Sequence, residues 1–164
     1  HVVHHSSQRF NLSTALRQPW TSVTAWLFYV PMILAGVHPA VLAFLGSINL
    51  VYQFWIHTER IDRMPRWFEF VFNTPSHHRV HHASQGSYLD RNFGGIFIVW
   101  DRIFGSFEPE AQRCVYGLTK NIDTYNPLRV AFHEYASIAS DVRAARTWRD
   151  RARCLFGPPA SASR

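Results

Sequence analysis

Residues 18–58 contain no Asp, Glu, Lys or Arg, which makes 41 consecutive positions without a formal charge. One soluble core helix is far shorter than this, whereas two membrane passes take about 40 residues. Val37, His38 and Pro39 divide the run. The first half, residues 20–36, contains Pro31 and is short for a full span. The second half, residues 39–56, is 18 residues, about 27 Å long as a helix. The pattern predicts a helical hairpin over residues 20–56 that passes through or deep into a bilayer. Arg17 precedes it, Arg60, Arg63 and Arg66 follow it, and its turn carries no formal charge. By the positive-inside rule both flanks lie in the cytoplasm. Asn49 and Gln53, four residues apart, are expected to face protein rather than lipid. The competing reading is a buried hairpin of a large soluble helical protein.

The hairpin separates two copies of one pattern. His1-Val2-Val3-His4-His5 and His78-Arg79-Val80-His81-His82 are both H-x-x-H-H. On a helix, spacings of three and four put all three imidazoles of a box on one face. Neutral imidazole is the commonest metal ligand, and it suits first-row transition metals. Two such faces without a nearby thiolate predict a histidine-only, dinuclear metal site, and the orientation of the hairpin puts both boxes on one side of the membrane. His57 emerges at the end of the second half and is either a further ligand or a partner of one. Glu59 is the only Glu near a box. Cys114 and Cys154 match no metal spacing and are expected to be free.

Composition narrows the partners. Aromatic residues make up 15% of the chain, yet the mean hydropathy is only −0.14, so polar and apolar residues are segregated. The net charge of +6 suits nucleic acid or an anionic membrane. No nucleic-acid motif accompanies it and the uncharged run favours the membrane, so no nucleic-acid partner is expected. Residues 65–72 are expected to form a short aromatic helix in the membrane interface, residues 96–105 a helix, and residues 116–126 an irregular stretch. Residues 140–156 repeat apolar side chains at threes and fours between arginines, predicting one basic amphipathic helix that starts at Ser140 or Asp141.

The boxes, together with Ser6-Ser7 after the first and Asn92-Phe93-Gly94 and Trp100-Asp101-Arg102-Ile103-Phe104-Gly105 after the second, resemble the fatty acid hydroxylase (sterol desaturase) superfamily. The stretches around Phe10-Asn11-Leu12-Ser13, residues 52–58 and residues 72–82 are most similar to its alkylglycerol monooxygenase-like branch. The resemblance covers residues 1–135. It implies an integral membrane, all-α enzyme with a cytosol-facing di-iron centre, which uses O2 and external electrons to hydroxylate or desaturate a lipid. Carried over by position, the implied iron ligands are His1, His4, His5, His78, His81 and His82, with His57 a further one. His77 is adjacent, and His38 and His133 lie outside the motifs. Members of the ether-lipid branch are associated with tetrahydrobiopterin as reductant, so the implied partners are a lipid, O2, an electron donor and the membrane.

The family pattern also includes an H-x(3,4)-H box upstream of the first H-x-x-H-H. The chain begins inside a motif and is expected to be the C-terminal portion of a longer protein. Its expected domains are residues 1–135, an N-terminally truncated hydroxylase-like domain, and residues 136–164, a basic amphipathic helix and tail. Two alternatives come from other classes: a zinc-binding or structural membrane fragment, and a hydrolase using zinc-activated water, with Glu59 as its one candidate base.

Overall fold

The computed structural model describes residues 1–18 and 26–157. Among these residues all regular structure is helical: α1 (Val2–His5), α2 (Leu12–Ala15), α3 (Trp26–Leu34), α4 (Pro39–Ile56), α5 (Arg66–Val71), α6 (Pro75–His81), α7 (Val99–Phe104), α8 (Pro127–Ala144) and α9 (Trp148–Phe156). Strand-like pairing is confined to two isolated bridges, Phe72 with Phe97 and Ala83 with Tyr116. The chain divides into two compact units, His1–Asn121 and Ile122–Arg164.

In the first unit, α3 and α4 occupy the two halves of the uncharged run. The start of the first half, residues 20–25, lies outside the described residues. Pro39 opens α4, and the His38 ring accepts a hydrogen bond from the Ala40 N–H at 3.2 Å, so His38 serves as a cap. Among the described residues α4 is the one helix long and apolar enough to cross a membrane, by length and composition. Val41, Phe44, Leu45, Ile48, Leu50 and Val51 are all exposed along it, an apolar surface larger than single scattered side chains would make. Polar contacts anchor its second half. The Tyr52 hydroxyl donates to the Asn73 carbonyl at 2.8 Å. Asn49 and Gln53 close over Gly95, where an added Cβ would lie 2.6 Å from Asn49 Oδ1 and 3.1 Å from Gln53 Nε2. The two polar side chains therefore face protein, as their spacing predicts.

Helices α5, α6 and α7 are joined by a bonded turn. Asn73 N–H donates to Ile96 O at 2.7 Å and Ile98 N–H to Val71 O at 3.0 Å. Asp101, buried in the first turn of α7, accepts from the backbone N–H groups of Phe93 and Gly94, both at 2.7 Å, and from the Ser106 hydroxyl at 2.6 Å. Asn92 has φ 54°, a left-handed conformation that Asn tolerates better than most residues. Its side chain donates to His77 O and Glu108 O and accepts from Glu108 N–H. The residues that carry the family resemblance after the second box thus build this turn. Behind it, Val80, Ala83, Tyr88 and Cys114 form a small buried core.

The second unit departs from expectation. Residues 140–156 are not one helix: α8 begins at Pro127 and ends at Ala144, and α9 begins only at Trp148. Two N-terminal signals account for this. Asn126 accepts from the N–H groups of Leu128 and Arg129 with Pro127 in the first position, and Thr147 accepts from Asp150 N–H while donating to the Asp150 carboxylate. Each satisfies donors that a helix start leaves open, so Ser140 and Asp141 lie inside α8. The expected domain boundary after residue 135 falls within this same helix.

Candidate metal centre

The two boxes are built by local helix signals. Pro75 opens α6, and Thr74 precedes it in extended conformation. Glu69 Oε1 accepts from the Thr74 and Ser76 hydroxyls at 3.1 and 2.9 Å and from Met64 N–H at 3.0 Å, which pins the start of α6. His78 and His81 lie in α6 and His82 ends it. In the first box, His1 caps α1, which contains His4 and His5. Asn11 caps α2 in a reciprocal capping box with Thr14, and α2 packs on α4.

The fold brings all seven sequence-predicted histidines together in two groups. His4, His57, His78 and His82 form one, and all four are buried; His1, His5 and His81 form the other and are more open. Within each group the candidate ligand nitrogens lie within 4.8 Å of one another. The groups adjoin: His5 stacks on His82 with ring centroids 4.2 Å apart, and His81 lies 5.2 Å from His78. His77 points elsewhere and meets Phe107 edge-on at 5.3 Å. His38 caps α4, and His133 lies in α8 with Nδ1 2.9 Å from Val130 O.

Hydrogen bonds to the backbone set the proton positions. His57 Nδ1 lies 2.5 Å from Gln53 O, His4 Nδ1 3.2 Å from Arg17 O and His81 Nδ1 3.2 Å from Arg91 O. A carbonyl only accepts, so in each case the proton sits on Nδ1 and a neutral ring presents a bare Nε2. His57 Nε2 then lies 3.0 Å from His4 Nε2, 3.0 Å from His78 Nε2 and 3.2 Å from His82 Nε2. The His4 and His57 lone pairs face one another, a repulsive arrangement that a cation between them converts into attraction. Protonation does not relieve it. Burial, reinforced by the neighbouring His57, lowers His4 to about 4, and burial holds His78 and His82 well below the ordinary histidine value. The donor set fits a borderline transition metal held by neutral imidazoles, three of them (His4, His57 and His81) oriented by an outer carbonyl.

Several supporting groups were not singled out in the sequence. Arg79, between the ligands of the second box, donates to both Glu110 carboxylate oxygens at 2.6–3.0 Å and to the carbonyls of Thr58, Ile61 and Asp62 at 2.7–3.1 Å. It clamps the loop after His57 onto α6. Its position, alternating with the ligands of the box, was the available signal. Phe10, 3% exposed, packs on His57, His82 and His78 with centroids 5.4, 5.1 and 6.2 Å away. The three orienting carbonyls carry no sequence signal, because every residue has one.

Residues 1–106 match the family model described as fatty acid hydroxylase. The alkylglycerol monooxygenase of Homo sapiens is 50% identical over 139 residues, covering 84% of this chain and 31% of the relative. That of Xenopus tropicalis is 41% identical over 160 residues, 97% of this chain and 35% of the relative. The ornithine lipid hydroxylase OlsE of Rhizobium tropici is 25% identical over 126 residues, 74% of this chain and 38% of the relative. The chain spans about a third of the length of these curated relatives. No solved structure matches it. Because the family match runs from the first histidine box through the second and α7 to residue 106 and includes all seven clustered imidazoles, the chain belongs to the fatty acid hydroxylase family.

Proposed function

We propose that this chain is the histidine-box portion of a membrane-bound iron monooxygenase that hydroxylates a lipid, with an ether-linked glycerolipid as the favoured substrate. The observation that carries this reading is the convergence of four buried Nε2 atoms beside a second, more open three-histidine group. His4, His57, His78 and His82 would hold one iron ion and His1, His5 and His81 the other. When bound, the pair supplies the oxygen chemistry, combining O2 with external electrons so that one oxygen atom is inserted into a carbon–hydrogen bond.

The chain's own groups prepare that site. Gln53, Arg17 and Arg91 hold the imidazole tautomers through their carbonyls, and Phe10 keeps water from one side of the buried group. Exposed His1 and half-buried His5 leave the second group open to a substrate. The apolar surface of α3 and α4 would form a hairpin that brings lipid to the site, with α5 aromatics at the interface and the arginines that flank the hairpin in the cytoplasm. The names of the relatives support a lipid substrate: three-quarters or more of this chain aligns with an alkylglycerol monooxygenase, and a more distant relative is an ornithine lipid hydroxylase. An alkylglycerol hydroxylated beside its ether oxygen gives a hemiacetal, which collapses to an aldehyde and an alcohol. The electron donor is external; tetrahydrobiopterin is one candidate. Residues 1–135 would form the hydroxylase domain and residues 136–164 a basic appendage.

Metal analysis and oxygen-dependent product formation by the full-length protein in detergent test this reading. The expected result is two irons per chain, with product labelled from 18O2. Zinc alone, with no oxygen consumed, would instead establish the histidine groups as a structural or hydrolytic zinc site.

A further inference from the structure

Helix α9 leaves its apolar side uncovered. Trp148, Ala152, Leu155 and Phe156 recur at steps of four, three and one, so on a helix they form one stripe about 100° wide. In a globular domain such a stripe faces the core. In α9 it faces outward: Trp148 is 82% exposed, Leu155 55% and Phe156 88%, and Ala152 is exposed with them. The partly covered side carries Arg151 and Cys154 instead. α9 packs with α8 inside the second unit, and that packing does not cover the stripe. Arginines border it on both edges, Arg149 and Arg153 on one and Arg151 on the other. The Arg151 guanidinium carbon lies 5.2 Å from the Trp148 ring centroid. Arginine stems lie along apolar surface while their charged heads stay in polar surroundings. Residues 141–156 contain five arginines against two aspartates, and Asp150 is held by the Thr147 cap. A nucleic acid would pair the arginines and leave the stripe in water. An anionic bilayer surface satisfies both at once, because lipid headgroups meet the arginines and the acyl-chain boundary takes the stripe.

We propose that α9 lies in the plane of an anionic bilayer surface, with Trp148, Ala152, Leu155 and Phe156 sunk to the acyl-chain boundary and Arg146, Arg149 and Arg153 at the headgroups. The proposal rests on the reading of the protein as membrane-bound, and needs neither the metal nor the oxygen chemistry. The membrane that holds α4 supplies the surface, so the second unit makes a charge-dependent second attachment to it. Because the chain is already tethered there, this attachment is intramolecular and a short helix suffices for it.

The test uses the full-length protein reconstituted into nanodiscs of phosphatidylcholine, alone or mixed with phosphatidylserine. An NBD fluorophore is attached at one cysteine, the other accessible cysteines being replaced by serine: Ala152→Cys within the stripe, or native Cys154 on the other side. Doxyl-labelled lipid quenches a probe that enters the bilayer. The probe at position 152 should be blue-shifted and quenched in the phosphatidylserine discs, and much less so in phosphatidylcholine alone or at high salt. The probe at Cys154 should stay unquenched in both. Replacing three exposed arginines together (Arg146→Gln, Arg149→Gln and Arg153→Gln) should lower the ratio of bound to free α9 on the order of a hundredfold, since each arginine at an anionic surface contributes roughly fivefold. Trp148→Ser with Phe156→Ser should abolish the quenching while the charge is unchanged. Equal quenching at position 152 in the two lipid compositions, or none in either, would overturn the proposal. So would a probe at 152 that is blue-shifted but unquenched in both discs, which would show α9 packed on another part of the chain. Binding of a fluorescent oligonucleotide that the triple variant loses, without lipid quenching, would reassign the arginines to nucleic acid. A probe at Leu45→Cys in α4 should be quenched in both compositions. Its failure counts against the membrane reading itself, whereas quenching at 45 without quenching at 152 counts against α9 alone.

Discussion

At the scale of single residues, the candidate site is organised around His57. Its Nε2 lies within 3.2 Å of three other imidazole nitrogens, and its ring is oriented by a carbonyl one turn back in α4. His57→Ala should therefore weaken metal binding by at least the 10–100-fold, roughly, that loss of an outer partner costs. Metal content after gel filtration, with circular dichroism to verify the helices, measures this; full occupancy in the variant would remove His57 from the ligand set. Gly94 shows how tightly the turn behind His81 is built. A Cβ there would lie 2.5 Å from Phe97 O and 2.9 Å from Asp101 Oδ2. Gly94→Ala should cost about 1–3 kcal/mol through overpacking, visible as a lower urea midpoint with unchanged slope. Six of the seven clustered histidines are legible from the H-x-x-H-H spacing. The seventh stands alone, and only its position at the end of the uncharged run marked it. Arg79 has no sequence signal beyond its place between histidines; burial and five acceptors make it a structural clamp.

At the scale of elements, α4 and α6 carry opposite demands. α4 exposes its apolar side chains, bonds Ser47 within the helix and Tyr52 to the Asn73 carbonyl, and closes Asn49 and Gln53 over Gly95. If it crosses a bilayer, Leu45→Arg on the exposed face should impair insertion, at about 2.5–3.5 kcal/mol for a charge near the helix centre. Asn49→Leu, which removes a protein-facing contact, should insert normally. Carbonate extraction of membranes separates the outcomes, and equal extraction of both variants would count against a spanning α4. α6 is held instead by a buried ion pair: the Arg79 side chain is 6% exposed and that of Glu110 16%. Arg79→Ala should destabilise the protein by about 3–5 kcal/mol, because it strands Glu110 and frees three carbonyls. Thermal melting at neutral pH measures this. Helix identity was legible in α4 from the uncharged run, in α5 from the aromatic stretch after Pro65 and in α6 from the spacing of the box. It failed for the last expected helix because apolar periodicity runs through residues 145–147, whereas the Thr147 cap, a local hydrogen-bonding choice, stops and restarts the helix there.

At the scale of the whole molecule, proton and metal compete for the same buried nitrogens. His4 is lowered from 6.5 to about 4, so the unfolded chain takes up this proton before the folded one does. The associated stability is complete above pH 6.5 and is lost as pH falls from 6.5 toward 4, with a slope approaching about 1.4 kcal/mol per pH unit for this group. Metal-free protein should therefore melt at progressively lower temperature across that window, and melting that is flat from pH 6.5 to 4 would contradict burial of the cluster. The metal-loaded protein should melt higher at neutral pH, with the increment removed by a chelator. The donor type, the helical spacing of each box and the apolar run between them depend only on side-chain chemistry and on the 3.6-residue period, and are legible in the order of residues. The grouping of the histidines is set by packing. Packing draws one member of the first box, two of the second and lone His57 into a buried four-nitrogen group and leaves His1, His5 and His81 as the more open one. That sorting depends on carbonyls, loop closures and the Arg79 clamp, and it brings together residues as far as 80 positions apart, His1 and His81, which no local pattern specifies.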